Sequence, residues 1–276
     1  MTPETDGADF TDPTSSALAH FGNEVRLARE SMGMSRADFG KEATCGYSLV
    51  AKVEQGQRVP PREFAEACDR VFPNAGGRFM RLWPLALKYA FPPWFRPYVE
   101  LEEKATAIRM FHPVLLPGLA QTEEYARAIL RAGRCTDLDN LLTARLARQR
   151  ILSRDKPTRL WLVLEEAVLK NVVGGPDVMR EQLARLRGIA ENPVHRVQII
   201  RNTGQYRASA ASPFGLLSFA TGTDVVHVDG FPTGYVLAEQ ADVGAAQEAY
   251  DLLTALAAPP DESAELIDSV AKDWYS

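Results

Sequence analysis

The sequence has few of the features that mark secreted, membrane-embedded or zinc-binding proteins. Its three cysteines, Cys45, Cys68 and Cys135, lie far apart and form no CxxC pair, which predicts free thiols rather than a disulfide framework or a zinc site. No apolar run approaches the roughly 18 residues of a membrane span, and the acidic first residues are the reverse of a signal peptide's basic start. We therefore expect a soluble, cytoplasmic protein with no membrane segment.

Positive charge is also scarce. The 31 Lys and Arg residues are outnumbered by 36 Asp and Glu residues, which gives a formal net charge of -5. This balance argues against a protein that coats nucleic acid non-specifically, although it is compatible with a local basic patch. With 276 residues, of which 46% are hydrophobic, the chain is long enough for a small domain and a larger one.

Signatures of catalysis are missing as well. His112, His195 and His227 are isolated, without the spacing of a metal site or of a nucleophile and its base. Glu165 and Glu166 are adjacent and point to different faces, which is poor geometry for paired acid and base work. The stretch VVGGPDV contains neither GxGxxG nor a Walker lysine. We predict no catalytic residue, no metal and no cofactor.

Composition divides the chain into four parts. Residues 1–16 carry acidic but no basic side chains, so we predict a disordered acidic arm. Residues 17–77 have helical periodicity throughout. Residues 78–110 are rich in Trp, Pro and Phe, and residues 111–276 mix strand and helix patterns. The fold class that follows is multidomain, with a small all-α helix-turn-helix domain followed by a larger α/β domain with flanking helices.

The segment 78–110 is too apolar for a flexible linker, so we predict an aromatic-rich connector and a helix. The aromatic residues between 91 and 97 are expected to pack onto the larger domain or a second subunit rather than to form a ligand cage. The spacing of Val99, Ala105 and Ile108 then predicts one regular amphipathic helix.

The last part of the chain contains four strand patterns, RLWLVL, HRVQIIR, PFGLLSFA and DVVHVDG. GPDVMREQLARLRGIAEN predicts a helix between the first two strands, and the tail predicts two more. Upstream of the strands, LDNLLTARLARQRILSRD predicts a helix with its arginines outside. We interpret this basic surface as solvated or partner-facing rather than as a second nucleic-acid surface. The arginines concerned are Arg145, Arg148, Arg150 and Arg154.

The stretch SRADFGKEATCGYSLVAKVEQG, which starts at Ser35, predicts two short helices joined by a tight turn. Ser35 caps the first helix, and Asp38 returns a hydrogen bond or favours the helix dipole. The second helix is predicted to start near Gly46 or Tyr47 and to run to Gln55. Helices this short are marginal alone and must be packed. The inward residues of the second helix are Leu49, Val50 and Val53.

The segments VRLARESMGMS, RADFGKEA and VAKVEQGQRVP resemble the helix-turn-helix of the Xre and phage-repressor class. The resemblance implies double-stranded DNA as partner, with a recognition helix in the major groove. On this pattern the base-facing candidates are Tyr47, Ser48 and Lys52, and the phosphate-contact candidates are Arg36, Lys41, Arg58 and Arg62. The alternative is that these charges form only a solvated face.

Two residues depart from the family pattern. Thr44 stands where the turn has glycine, a position that requires a positive φ, and Gly46 stands where a capping serine or threonine is usual. A reshaped turn would move the register of the base-reading residues by one. Glu54 matches a family glutamate, which we interpret as a structural partner of Arg29 or Arg58, the alternative being a solvated side chain.

The segments YVELEEKATAIR, PGLAQTEEYARAIL, VLEEAVLKNVVGGPDVMREQL and DESAELIDSVAK resemble the C-terminal domain of actinobacterial regulators of the WhiJ type, a domain of unknown function. The resemblance implies a transcription factor of development or secondary metabolism, encoded beside a small acidic partner protein. It gives no catalytic residues.

Three hypotheses follow for the whole chain. The first is a DNA-binding regulator whose large domain binds a protein partner or dimerises. The second is the same regulator with a small-molecule pocket, and the third is an enzyme with an accessory DNA-binding domain. Because one recognition helix supplies few base contacts, we expect a homodimer on two half-sites.

Overall fold

The computed structural model describes residues 12–135, 137–202, 212–230 and 233–275. Most of the acidic arm predicted for residues 1–16, up to residue 11, therefore lies outside the described residues. The chain forms two compact units, one comprising Met1–Pro93 and Asp139–Ala144, the other Trp94–Leu138 and Arg145–Ser276. The connector predicted for residues 78–110 is divided between them.

The first unit is helical, as predicted. Its helices are α1 (Ala17–Ser31), α2 (Arg36–Glu42), α3 (Tyr47–Glu54), α4 (Arg62–Val71) and α5 (Arg78–Lys88). Helices α2 and α3 are the two short helices that the sequence predicts, and α3 begins at one of the two expected positions.

Phenylalanine rings form the core of the first unit. The ring of Phe39 stacks on that of Phe72 with 4.7 Å between centroids, and Phe64 meets Phe39 edge-on at 5.6 Å. Phe79 packs against Phe72 at 5.6 Å and against Phe21 at 5.8 Å. All five rings are buried. Pairs of this geometry contribute more than their buried area alone, so they hold α1, α2, α4 and α5 around one centre.

The second unit alternates helices and strands. Its strands are β1 (Ala107–His112), β2 (Arg159–Glu165), β3 (Arg196–Ile200), β4 (Phe214–Ser218), β5 (Val225–Val228) and β6 (Tyr235–Leu237). Its helices are α6 (Arg96–Lys104), α7 (Glu123–Ala132), α8 (Leu138–Arg148), α9 (Ala167–Lys170), α10 (Pro176–Glu191), α11 (Gln240–Leu256) and α12 (Pro260–Tyr275). Residues 139–144 of α8 belong to the first unit.

The described strands form one mixed sheet in the order β3-β2-β1-β4-β5-β6. β1, β2 and β3 are parallel, whereas β4, β5 and β6 pair antiparallel. Ile108 of β1 lies opposite Leu160 on one side and Leu217 on the other. Parallel strands that are buried on both faces have nearly continuous apolar sequences. The sequences of β2 and β3 are of this kind.

Helices cover both faces of the sheet. One face packs Ile108 and Leu162 against α10 and α12, and the opposite face packs Phe111 and Val163 against Tyr250 of α11. The larger domain is therefore a three-layer α/β structure with flanking helices, as predicted.

The single amphipathic helix predicted through Ile108 is wrong. Helix α6 ends at Lys104, and Ala105 already has the extended backbone angles φ -64 and ψ 141. The residues that follow form β1, which lies inside the sheet. The four strands predicted further along the chain are confirmed as β2 to β5.

The prediction of an outward basic surface is wrong for Arg148. This side chain is 10% exposed and donates to both oxygens of Glu102 at 2.6 and 2.7 Å. Burial alone would lower the pKa of Arg148, but the Glu102 carboxylate outweighs it and raises that pKa. Arg145 donates to Gln121 at 3.0 Å, and burial lowers its pKa to about 10.

Candidate nucleic-acid interface

The first helix of the helix-turn-helix starts with a capping box. The Ser35 hydroxyl accepts from the backbone N–H of Asp38 at 3.1 Å, and the Asp38 carboxylate accepts from the Ser35 backbone N–H at 3.3 Å. The Ser35 hydroxyl also donates to that carboxylate at 2.6 Å. Hydrogen bonds from Ser35 lower the pKa of Asp38. The predicted cap is confirmed, and it fixes the start of α2.

The turn between α2 and α3 contains the two residues that depart from the family pattern, Thr44 and Gly46. Thr44 itself adopts the left-handed conformation, with φ 55, at the position where the family has glycine. Gly46 precedes α3 in an extended conformation, with φ -78 and ψ 152. The reshaped turn considered from the sequence is therefore wrong, because the positive φ lies at Thr44 and not at Gly46. The cost is local strain, because a β-branched residue disfavours positive φ.

Helix α3 has one buried side and one exposed side. Val50 and Val53 are buried, whereas Tyr47 is 52% exposed and Ser48 and Lys52 are exposed. At about 100° per residue, the three exposed positions fall on one side of the helix. The structure thus brings together the three residues that the sequence assigned to base contacts.

A buried ion-pair cluster anchors the C-terminal end of α3. The Glu54 carboxylate is 1% exposed and accepts from Arg29 Nε at 2.6 Å, Arg29 Nη2 at 3.1 Å and Arg36 Nε at 2.8 Å. The expected pairing of Glu54 with Arg29 is confirmed. Charge-assisted bonds of this geometry are strong and directional, so they fix α3 against α1 and α2.

The same cluster changes the interpretation of Arg36. The sequence assigned this side chain to a phosphate contact, but it is 8% exposed and its Nε donates to Glu54. The reason is the attraction of a buried carboxylate, which requires compensating charge. Arg36 therefore stabilises the position of α3 rather than extending from the surface.

The other three basic candidates differ in their surroundings. Lys41 at the end of α2 is exposed. Arg62 is 51% exposed and pairs with Glu66 at 2.8 Å. Arg58 is 20% exposed, and its Nη1 lies 3.2 Å from Asp139 Oδ2. Lys41 and Arg62 are consequently the more accessible of the three.

Two positions that bear on the packing and surface of α3 were not identified from the sequence. Gly22 lies where α1 crosses α3, and a Cβ there would overlap the backbone oxygen of Val53 and lie 2.9 Å from that of Glu54. The sequence could have predicted this close contact, because a glycine inside a helical pattern indicates close packing. Ala51 lies between Tyr47 and Lys52 on the outer side of α3 and is half-buried, which leaves room for close approach to that side.

The described residues contain neither a cluster suited to a metal ion nor a helix suited to a membrane span. They contain no group of three or more His, Cys, Asp or Glu side chains arranged to hold a metal ion. None of the helices in the same residues combines the length and the hydropathy that a bilayer crossing requires.

Comparison with known proteins identifies both units. Residues 20–72 match the family model described as a helix-turn-helix domain, which indicates DNA binding. No curated protein and no solved structure matches the chain. Residues 95–269, more than half of the chain, match the family model described as a domain of unknown function (DUF5753). The chain therefore belongs to the family of proteins with this DUF5753 domain, joined here to an N-terminal helix-turn-helix.

Proposed function

We propose that this protein is a sequence-specific DNA-binding regulator of transcription, of the Xre class and WhiJ type. The observation that carries the proposal is the exposed side of α3, where Tyr47, Ser48 and Lys52 extend away from a helix whose C-terminal end is fixed by Glu54. A recognition helix must be held firmly by the rest of its domain and must expose polar side chains to the DNA.

The chemistry of these three side chains fits the major groove. The Lys52 ammonium donates to acceptors such as guanine O6 and N7, and the Ser48 hydroxyl both donates and accepts. The Tyr47 ring offers an apolar surface together with one hydroxyl. We expect Lys41 and Arg62, which are exposed, to contact phosphates, with Arg58 joining them once its pair with Asp139 is exchanged for a phosphate.

Several finer features belong to the same proposal. One α3 buries little surface on DNA, so a homodimer on two half-sites supplies the affinity that regulation needs. The second unit then serves dimerisation or binds a small acidic partner protein. The protein acts in the cytoplasm, and we expect it to have no enzymatic activity of its own.

Selection of DNA from a random duplex library tests the proposal. The full chain is expected to enrich one motif, and the triple variant Tyr47→Ala, Ser48→Ala, Lys52→Ala is expected to lose that enrichment. The matched control is Tyr235→Ala, Ser269→Ala, Lys272→Ala, which removes three exposed residues of the same types from the second unit. Equal enrichment by the triple variant and the wild type would contradict the proposal, provided that both are folded.

A further inference from the structure

A side chain from a distant helix holds the loop that follows α3. Asn140, near the start of α8, is 3% exposed. Its Oδ1 accepts from the backbone N–H of Val59 at 2.8 Å, and its Nδ2 donates to the carbonyl oxygen of Gln57 at 3.3 Å. One amide therefore fixes the backbone on both sides of Arg58.

The same loop is bonded to the end of α3. The backbone N–H groups of Gln57 and Arg58 donate to the carbonyl oxygen of Lys52 at 2.9 and 3.2 Å. Val59 is fully buried, so its N–H depends on the Asn140 acceptor. The Asn140 amide thus keeps the backbone of Arg58 in a defined place beside Lys52, the base-contact candidate on α3.

The residue before Asn140 brings a negative charge to Arg58. Asp139 Oδ2 lies 3.2 Å from Arg58 Nη1, and the Asp139 side chain is 61% exposed. An ion pair this open to solvent is weak, whereas a guanidinium binds a phosphate through strong, charge-assisted hydrogen bonds. Asp139 and a DNA phosphate are therefore alternative partners for the same guanidinium.

All of these contacts lie within the first unit. Residues 139–144 belong to it together with residues 1–93, although Asn140 is 81 positions from Val59 along the chain. The loop after α3 is therefore in contact with two side chains, one neutral and one acidic, that the helix-turn-helix segment itself does not supply.

We propose that the start of α8 sets the DNA affinity of the helix-turn-helix through two residues with opposite effects. Asn140 is a positioning residue, which favours binding because it holds the backbone of Arg58 beside α3. Asp139 competes with DNA phosphates for the Arg58 guanidinium and so limits the affinity.

This inference rests on the proposed function, since Arg58 acts here as a phosphate contact. The two are nevertheless tested separately. A wild-type chain that enriches no duplex in the DNA selection would overturn both, whereas the contrary outcomes of the experiments below would overturn this inference alone.

The first test is a double-mutant cycle in the full chain, with binding measured on the duplex that the wild type enriches. Asp139→Asn is expected to lower the Kd about 2- to 5-fold, because Arg58 loses a competitor for the phosphate. In the Arg58→Gln background the same substitution is expected to leave the Kd unchanged. An unchanged or higher Kd in Asp139→Asn, or a decrease that persists with Arg58→Gln, would overturn the proposal.

The control for Asp139→Asn is Asp261→Asn. Asp261 is likewise an exposed carboxylate in the first turn of a helix, α12 of the second unit. Its removal therefore has the same effect on the net charge and on the charge at a helix start. We expect the wild-type Kd for Asp261→Asn, and a decrease equal to that of Asp139→Asn would overturn the proposal.

The second test compares Asn140→Ala with Gln182→Ala. Gln182 of α10 is a matched control, because its buried amide also bonds two backbone groups: it accepts from Thr122 N–H at 2.7 Å and donates to Ala120 O at 2.8 Å. Both substitutions are expected to lower the Tm by about 2 to 4 °C, since each leaves a buried N–H without its acceptor.

Binding to the same duplex is then measured at a temperature where circular dichroism shows both variants to be folded. Asn140→Ala is expected to raise the Kd about 5- to 10-fold and Gln182→Ala to leave it unchanged. Asn140→Ser, whose shorter side chain cannot bond both backbone groups, replaces Asn140→Ala if the latter does not fold. Equal Kd values in the Asn140 and Gln182 variants would overturn the proposal.

Discussion

At the scale of single residues, the buried histidines make the stability of the second unit depend on pH. Burial lowers the pKa of His112 to about 4, with a smaller contribution from His227, and burial with the nearby Arg148 lowers that of His227 to about 4. In the unfolded chain both titrate near 6.5. Between these values the unfolded state binds more protons, so stability falls as the pH falls.

The expected loss is about 3 kcal/mol of unfolding free energy for each histidine between pH 7 and pH 4. Denaturant titrations at pH 7 and pH 5 measure the larger part of this loss of unfolding free energy. His112→Gln, which does not titrate in this range, is expected to reduce the difference between the two pH values. A pH dependence that is identical in His112→Gln and wild type would contradict this assignment.

Residue roles on α3 were predictable from the sequence only in part. Periodicity placed Tyr47, Ser48 and Lys52 outside and Val50 inside, since these assignments depend on one helix alone. The burial of Arg36 depends on Glu54, 18 positions along the chain, and no local pattern reveals such a pair. For Arg148 the partner is 46 positions away.

At the scale of secondary-structure elements, the contact between α1 and α3 determines where α3 lies. Gly22→Ala would push a Cβ into the backbone oxygens of Val53 and Glu54. We expect it to cost about 1 to 3 kcal/mol of stability and to weaken DNA binding, because α3 must shift.

The control for Gly22→Ala is Gly188→Ala in α10, where no described atom lies within 4 Å of the added carbon. This second substitution is expected to be neutral or to stabilise by about 0.5 to 1 kcal/mol. Thermal unfolding followed by circular dichroism compares the two. Equal Tm values for both variants would show that the helices do not cross closely at Gly22.

The buried carboxylate of α3 has a comparable effect on the same element. Glu54→Gln leaves Arg29 and Arg36 without their buried counter-charge and is expected to cost about 3 to 5 kcal/mol. Glu66→Gln breaks the exposed pair with Arg62 and is expected to cost less than about 1 kcal/mol. Denaturation midpoints measure both, and a small effect of Glu54→Gln would disprove the anchoring role of the cluster.

Strands could be predicted from the sequence where turn-forming residues stand at their ends. β2 to β5 are short apolar or β-branched runs bounded by Gly, Pro or Asn, and each is confirmed. β1 follows α6 without a glycine or proline between them, and its apolar residues continue the helical spacing of Val99. A short apolar run does not distinguish a strand from a buried helix segment. β6, only three residues long, gave no pattern at all.

At the scale of the whole molecule, the net charge of -5 restricts how the protein binds DNA. General attraction to phosphates contributes little in an acidic protein, so under the proposed function we expect the affinity to come from local charges and from the two α3 helices of a dimer. We expect two protomers on each duplex, with half-sites about 10 base pairs apart. Sedimentation of the selected duplex with the full chain measures this ratio, and one protomer per duplex at saturation would contradict the dimer.

The central claim is that α3 reads bases while the residues beside it hold phosphates. Measuring the affinity of Lys52→Ala and Lys41→Ala for the selected duplex and for each of its single-base-pair variants tests this claim most directly. Lys52→Ala is expected to lose about 1 to 3 kcal/mol and to relax the preference at one base pair, whereas Lys41→Ala weakens binding to all duplexes alike. A uniform loss in Lys52→Ala, with every base preference retained, would contradict the account.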